Sequence, residues 1–186
     1  MTDHPLRLLC IDLQVDAAQG VEPPQAAMNA ACALLATGRR LGWTIAHTRR
    51  RTRPVIRARR GSPAPGVNPL MSEQVFFHDG RSVAGACGLS GLLERWRGQE
   101  VAVAAFDPLA LISCVLACEA PGPRLLLVED VMPMQALDSL AGVGVFHGRG
   151  VSGTFTATRL SKLVRDAALA TGVHVMPPPD SHLRGH

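Results

Sequence analysis

The sequence has no tyrosine and a single lysine, Lys162, and aromatic residues make up only 4% of its 186 positions. So few rings leave little surface on which bases could stack, so nucleic acid is not an expected partner. No apolar run reaches the roughly 18 residues of a membrane helix, and no basic stretch followed by an apolar one opens the chain. A cytoplasmic protein with no membrane contact is the expectation. The five cysteines (Cys10, Cys32, Cys87, Cys114 and Cys118) show neither C-x-x-C spacing nor a disulfide framework, and reduced thiols are expected. Internal repeats and low-complexity blocks are also missing.

What is present is a globular composition, 47% hydrophobic and 18% charged, in a length that suits one well-buried domain spanning 1–186, with its core at about 6–176. The net charge of +4 is concentrated in Arg49, Arg50, Arg51, Arg53, Arg57, Arg59 and Arg60, interleaved with Pro54, Pro63 and Pro65. That composition predicts a solvated loop over about 49–69 or a contact between copies; binding of an anionic substrate or of nucleic acid is the alternative.

Leu6 to Leu13 is a nearly continuous apolar run with Asp12 at its C-terminal end, the pattern of a central parallel strand. In open α/β sheets the C-terminal strand ends face the ligand crevice, so Asp12 is either a functional acid or a turn-capping one. Pro23 and Pro24 introduce a helix over Ala26 to Leu41. Trp43 to Thr48 and Val75 to His78 read as strands, and Gly88 to Arg97 as a short helix. Val101 to Ala105, an apolar helix holding Cys114 and Cys118, and Leu125 to Val128 then form a β-α-β unit. Beyond Asp130 the pattern predicts a Gly-rich loop over Ala141 to Gly153, an amphipathic helix over Thr154 to Thr171, a strand over Val173 to Met176 and a tail over 177–186. The alternation predicts an α/β protein, a three-layer α/β/α sandwich with a mostly parallel central sheet.

Three segments resemble the isochorismatase-like cysteine hydrolases, the family of nicotinamidases and carbamoyl-amide hydrolases. LLCIDLQVD resembles the family's first strand ending in Asp-x-Gln, matching Asp12 to its catalytic aspartate and Gln14 to its companion. SCVLA resembles the segment of the nucleophilic cysteine, matching Cys114, and VEDV resembles the segment after the next strand, matching Asp130 and Val131. The likeness covers about residues 6 to 176. It implies the isochorismatase-like fold, a homo-oligomer (dimer or tetramer), and thiolate attack on a small-molecule amide, ureide or enol ether. Asp12 would be the base and His78 would stand where the family has a lysine, so the expected catalytic set is Asp12, His78 and Cys114.

The departures favour a second reading. The lysine position is empty of lysine, the family's Gly-x-x-Thr-Asp turn reads DPLALIS, and an ungapped alignment puts Ile112 rather than Cys114 at the nucleophile. A catalytically silent member that serves as an assembly or ligand-binding module has the same fold. Cys114 and Cys118, at i, i+4, also fit small apolar core positions. Arg49 to Pro69 contains no His, Asp, Glu or Cys, so no metal is expected; Gly144, Gly148 and Gly150 lack dinucleotide-binding spacing, and no cofactor is expected.

Overall fold

The computed structural model describes residues 7–18, 24–51, 62–80, 82–118, 122–132 and 151–155, the last of these as backbone. In chain order the elements are β1 (Arg7–Ile11), α1 (Val15–Ala18), α2 (Pro24–Arg40), β2 (Thr44–Arg50), β3 (Gln74–His78), a 3-10 turn (Val83–Gly85), α3 (Leu89–Arg95), β4 (Glu100–Ala105), α4 (Pro108–Ala117), β5 (Arg124–Val128) and β6 (Val151–Phe155). All six strands join one parallel sheet in the order β3-β2-β1-β4-β5-β6.

β1 and β4 are apolar on both faces because helices cover both. Leu8 and Cys10 of β1, Ala102 and Ala104 of β4, and Leu126 and Val128 of β5 pack against Ala27, Ala31, Leu34 and Leu35 of α2. The alternate residues Leu9, Ile11, Val101, Val103, Leu125 and Leu127 pack against α3 and α4 through Leu89, Leu92, Leu93, Ala110, Leu111, Cys114 and Val115. Period two along the strands thus sorts the apolar side chains into two cores, giving the three-layer α/β/α sandwich that the alternation implied. Each fully buried Leu or Ile in these layers is worth roughly 1.5–3 kcal/mol of burial. No helix among the described residues is long and apolar enough to cross a membrane.

Two local expectations change. Val151–Phe155 is a strand, not the end of a loop and the start of a helix, because its residues pair with the open edge of β5. Val, Thr and Phe suit a strand, and the ladder outweighs the helical period read from Thr154 onward. Arg49 and Arg50 belong to β2, not to the loop expected from residue 49. Residues 52–61, the remainder of the expected helix to Thr171, the strand at Val173 to Met176 and the tail lie outside the described residues.

A carboxylate holds the sheet's N-terminal side. Glu73 takes Arg39 Nε at 2.8 Å and Nη2 at 3.0 Å, the Leu70 N–H at 2.9 Å, and His47 Nε2 at 2.8 Å. Burial pushes its pKa up, but the hydrogen bonds from Arg39, Leu70 and His47 outweigh it and bring Glu73 from 4.5 to about 2. A depressed carboxylate stabilises the fold above its unfolded pKa and loses that contribution as pH falls through the folded one. Replacing Glu73 with Gln is therefore expected to destabilise the protein in urea melts at neutral pH, and the gap to wild type should close between pH 4.5 and about 2.

Candidate functional site

The strand order reverses between β1 and β4, and the crevice of such a sheet lies outside the C-terminal ends of these strands. The polar residues gather there. Asp12 follows β1 directly and has φ 48°, in the left-handed region that disfavours a residue with a Cβ. Its backbone N–H donates to the Thr48 carbonyl at 3.3 Å, and its own carbonyl accepts from the Gln14 N–H at 2.7 Å. Gln14 then substitutes its side chain for a missing piece of ladder. Its Oε1 accepts from the Arg50 N–H at 2.8 Å and its Nε2 donates to the Arg50 carbonyl at 3.1 Å. The Val15 N–H donates to the Ser62 carbonyl and the Ala64 N–H to the Leu13 carbonyl, so the segment after the arginine cluster folds back over this turn.

The turn delivers the Asp12 carboxylate to the ends of two further strands. Asp12 Oδ1 accepts from Thr48 Oγ1 at 2.9 Å and lies 2.8 Å from His78 Nε2, with both side chains of the Asp12–His78 pair essentially fully buried. A carboxylate oxygen only accepts, which puts an imidazole proton on Nε2. Asp12 Oδ2 and His78 Nδ1 are buried without a hydrogen-bond partner. Groups left so cost about 1–3 kcal/mol each, which makes them exceptions that need a reason.

Beside this pair runs a half-buried charge network. Arg50 Nη2 donates to Asp16 Oδ2 at 2.5 Å, and Arg50 Nη1 lies 3.7 Å from Asp107 Oδ2. Asp107 is the N-cap of α4. Its Oδ1 accepts from the Leu109 N–H at 2.9 Å and the Ala110 N–H at 3.4 Å, and Pro108 at the first helical position has no N–H to offer. The start of α4 is where an anion or oxyanion would bind. Here a side chain of the protein itself occupies the Leu109 and Ala110 donors.

Of the residues singled out in the sequence, Asp12, Gln14 and His78 are brought to one edge, and Asp12 meets His78. Cys114 is placed differently. It is the seventh residue of α4, well past the free N–H groups, and it is fully buried beside Leu111 and Val115 in an apolar layer. No hydrogen bond or ion pair joins Cys114 to Asp12 or His78. Its thiol is pushed well above the ordinary value by a hydrogen bond with Cys118, by burial, and by electrostatic interaction with Cys118 and Asp12. Ile112 is half-buried on the same helix, and Asp130 is exposed in the turn after β5, with Val131 buried beside it.

Thr48, Arg50, Asp16 and Asp107 were not singled out for this site. Asp107-Pro108 carries a readable N-cap signature, whereas Thr48 and Arg50 owe their role to register alone. Arg49 and Arg51 lie 5.8 and 5.7 Å over the Phe77 ring. Among the described residues no group of three or more His, Cys, Asp or Glu side chains could hold a metal ion.

An all-parallel sheet of this order with an Asp-x-Gln turn after its first strand is an isochorismatase-like fold, here in a divergent form. The solved structures it resembles make that fold concrete. An isochorismatase from Pseudomonas putida KT2440 superposes with TM-score 0.69 at 19% identity, over 83% of this chain and 89% of that one. An isochorismatase family protein from Desulfovibrio vulgaris gives TM-score 0.67 at 18% identity over 88% and 100%. N-carbamoylsarcosine amidase from Thermoplasma acidophilum gives 0.60 at 13% over 83% and 97%. No protein-family model matches the sequence, and no curated protein matches it.

Removing one partner of a buried pair strands the other charge, at about 3–5 kcal/mol. His78→Leu is therefore expected to destabilise the protein by about 3 kcal/mol, and adding Asp12→Asn should recover part of that loss, because the stranded group is then neutral. A double-mutant cycle in urea checks the sign of the coupling.

Proposed function

We propose that this chain is an isochorismatase-like protein that binds a small amide or ureide at the C-terminal edge of its sheet and is silent for cysteine-based hydrolysis. The observation that carries the reading is the start of α4. Asp107 takes the Leu109 and Ala110 N–H groups that would otherwise hold an oxyanion, and Cys114 lies farther along the helix with its thiol held in the neutral form. A thiolate nucleophile needs a neighbouring cation or helix-start donors, and Cys114 has contact with neither.

The binding half of the reading rests on Asp12 Oδ2 and His78 Nδ1. The reading takes His78 as the neutral Nε2–H tautomer, in which Nδ1, like Asp12 Oδ2, is an acceptor, and both atoms are buried without partners. The N–H groups of a primary amide or ureide are the complementary donors, and satisfying two buried acceptors would favour binding by up to the few kcal/mol their isolation costs. Thr48 and Gln14 position Asp12, and Arg50 stands between Asp16 and Asp107 as the charged wall beside the pair.

A second reading keeps the hydrolase: Cys114 as nucleophile, Asp12 as base and His78 in place of the lysine, acting on an amide, ureide or enol ether. The Asp12–His78 contact and the reach of Asp12's charge to Cys114 favour it. Assembly into a homo-oligomer fits either reading.

The two are separated by the pH dependence of Cys114 alkylation, read by peptide mass spectrometry in the native protein. Slow labelling that rises only above the ordinary thiol range is expected, with no slowing in Asp12→Asn or His78→Ala. Fast labelling near pH 6 that either substitution slows would establish an activated thiolate and overturn the silent reading.

A further inference from the structure

At the opposite edge of the sheet, away from Asp12, lies a cavity of about 560 Å³ lined by the C-terminal end of α2, the first residues of β2 and β3, and one side of α3. Its volume falls in the range of small-ligand sites. Both tryptophans of the chain, Trp43 and Trp96, line it, together with Leu70, Glu73, Arg39 and Arg95. The Trp43 side chain is almost wholly buried, yet its indole N–H has no acceptor. Arg95 makes no hydrogen bond or ion pair among the described residues. Glu73 does not offset it, since its oxygens are already met by Arg39, His47 and the Leu70 N–H. The cavity therefore offers an unpaired cation beside walls of mixed polar and apolar character that include both indole side chains, with its one lining carboxylate neutralised by its own partners.

We infer that this N-terminal-edge cavity is a second small-molecule site, which takes a compact organic carboxylate with a planar apolar body. The carboxylate answers Arg95, which supplies a charge-assisted hydrogen bond. The apolar body lies against Leu70 and the edges of the indole rings, whose burial gives affinity without demanding a particular shape. The site is independent of the Asp12–His78 edge and stands or falls separately from it.

Because the chain has two tryptophans and no tyrosine, its intrinsic fluorescence reports on the walls of this cavity. Benzoate is the probe and benzyl alcohol the neutral control. Benzoate is expected to change the emission saturably with a dissociation constant of about 1 mM or tighter. Arg95→Gln, a change at an exposed residue, should weaken that binding about tenfold or more. No saturable change with benzoate, an equal response to benzyl alcohol, or wild-type affinity in Arg95→Gln would each overturn the inference.

Discussion

One carboxylate oxygen ties three strand ends together. Asp12 Oδ1 accepts from Thr48 at the end of β2 and from His78 at the end of β3, while the backbone of Asp12 leaves β1 in a left-handed turn. That turn costs about 1–2 kcal/mol for a residue with a Cβ, and hydrogen bonds to a charged group of about 1.5–3 kcal/mol each are enough to hold it. Everything at this edge follows from the direction the chain takes there. Gln14 lands against the Arg50 backbone, Arg50 is fixed between Asp16 and Asp107, and Asp107 caps α4.

The cap decides what α4 can do. A helix start at the C-terminal edge of a parallel sheet is an anion site by construction, since its first N–H groups are free and its dipole is positive. In this chain Pro108 removes one donor and Asp107 occupies two others. The Asp107 carboxylate itself offsets the positive end of the helix, and its other oxygen lies 3.7 Å from Arg50 Nη1. Cys114 and Cys118 lie in the apolar layer between α4 and the sheet, and their free thiols share a hydrogen bond. Under the proposed reading, the missing lysine and the occupied helix-start donors belong together, as features of recognition without covalent chemistry.

Much of the fold was legible in the sequence because it is written in local patterns. Continuous apolar runs such as Leu8 to Ile11 and Leu125 to Val128 announce strands covered on both faces, and the proline pair before α2 marks a helix start. Val151–Phe155 was not legible: VSGTF carries no strong period, and only the open edge of β5 makes it a strand. At the site, Asp12 and His78 could be picked out because both close an apolar strand. Thr48 and Arg50 could not, since nothing in TIAHTRR distinguishes the residues that face Asp12 and Gln14 until the β1–β2 register is known. The depth of Cys114 was not legible either: because the helix begins at Pro108, Cys114 is its seventh residue and lies buried along it, not at its start.

The most direct test is a crystal structure of the protein after incubation with small primary amides and ureides. The expected result is an intact amide with its nitrogen within hydrogen-bond distance of Asp12 Oδ2 and His78 Nδ1, and an unmodified Cys114. An acyl group bonded to Cys114 Sγ, or an amide held at the start of α4 with Asp107 displaced from its cap, would contradict it.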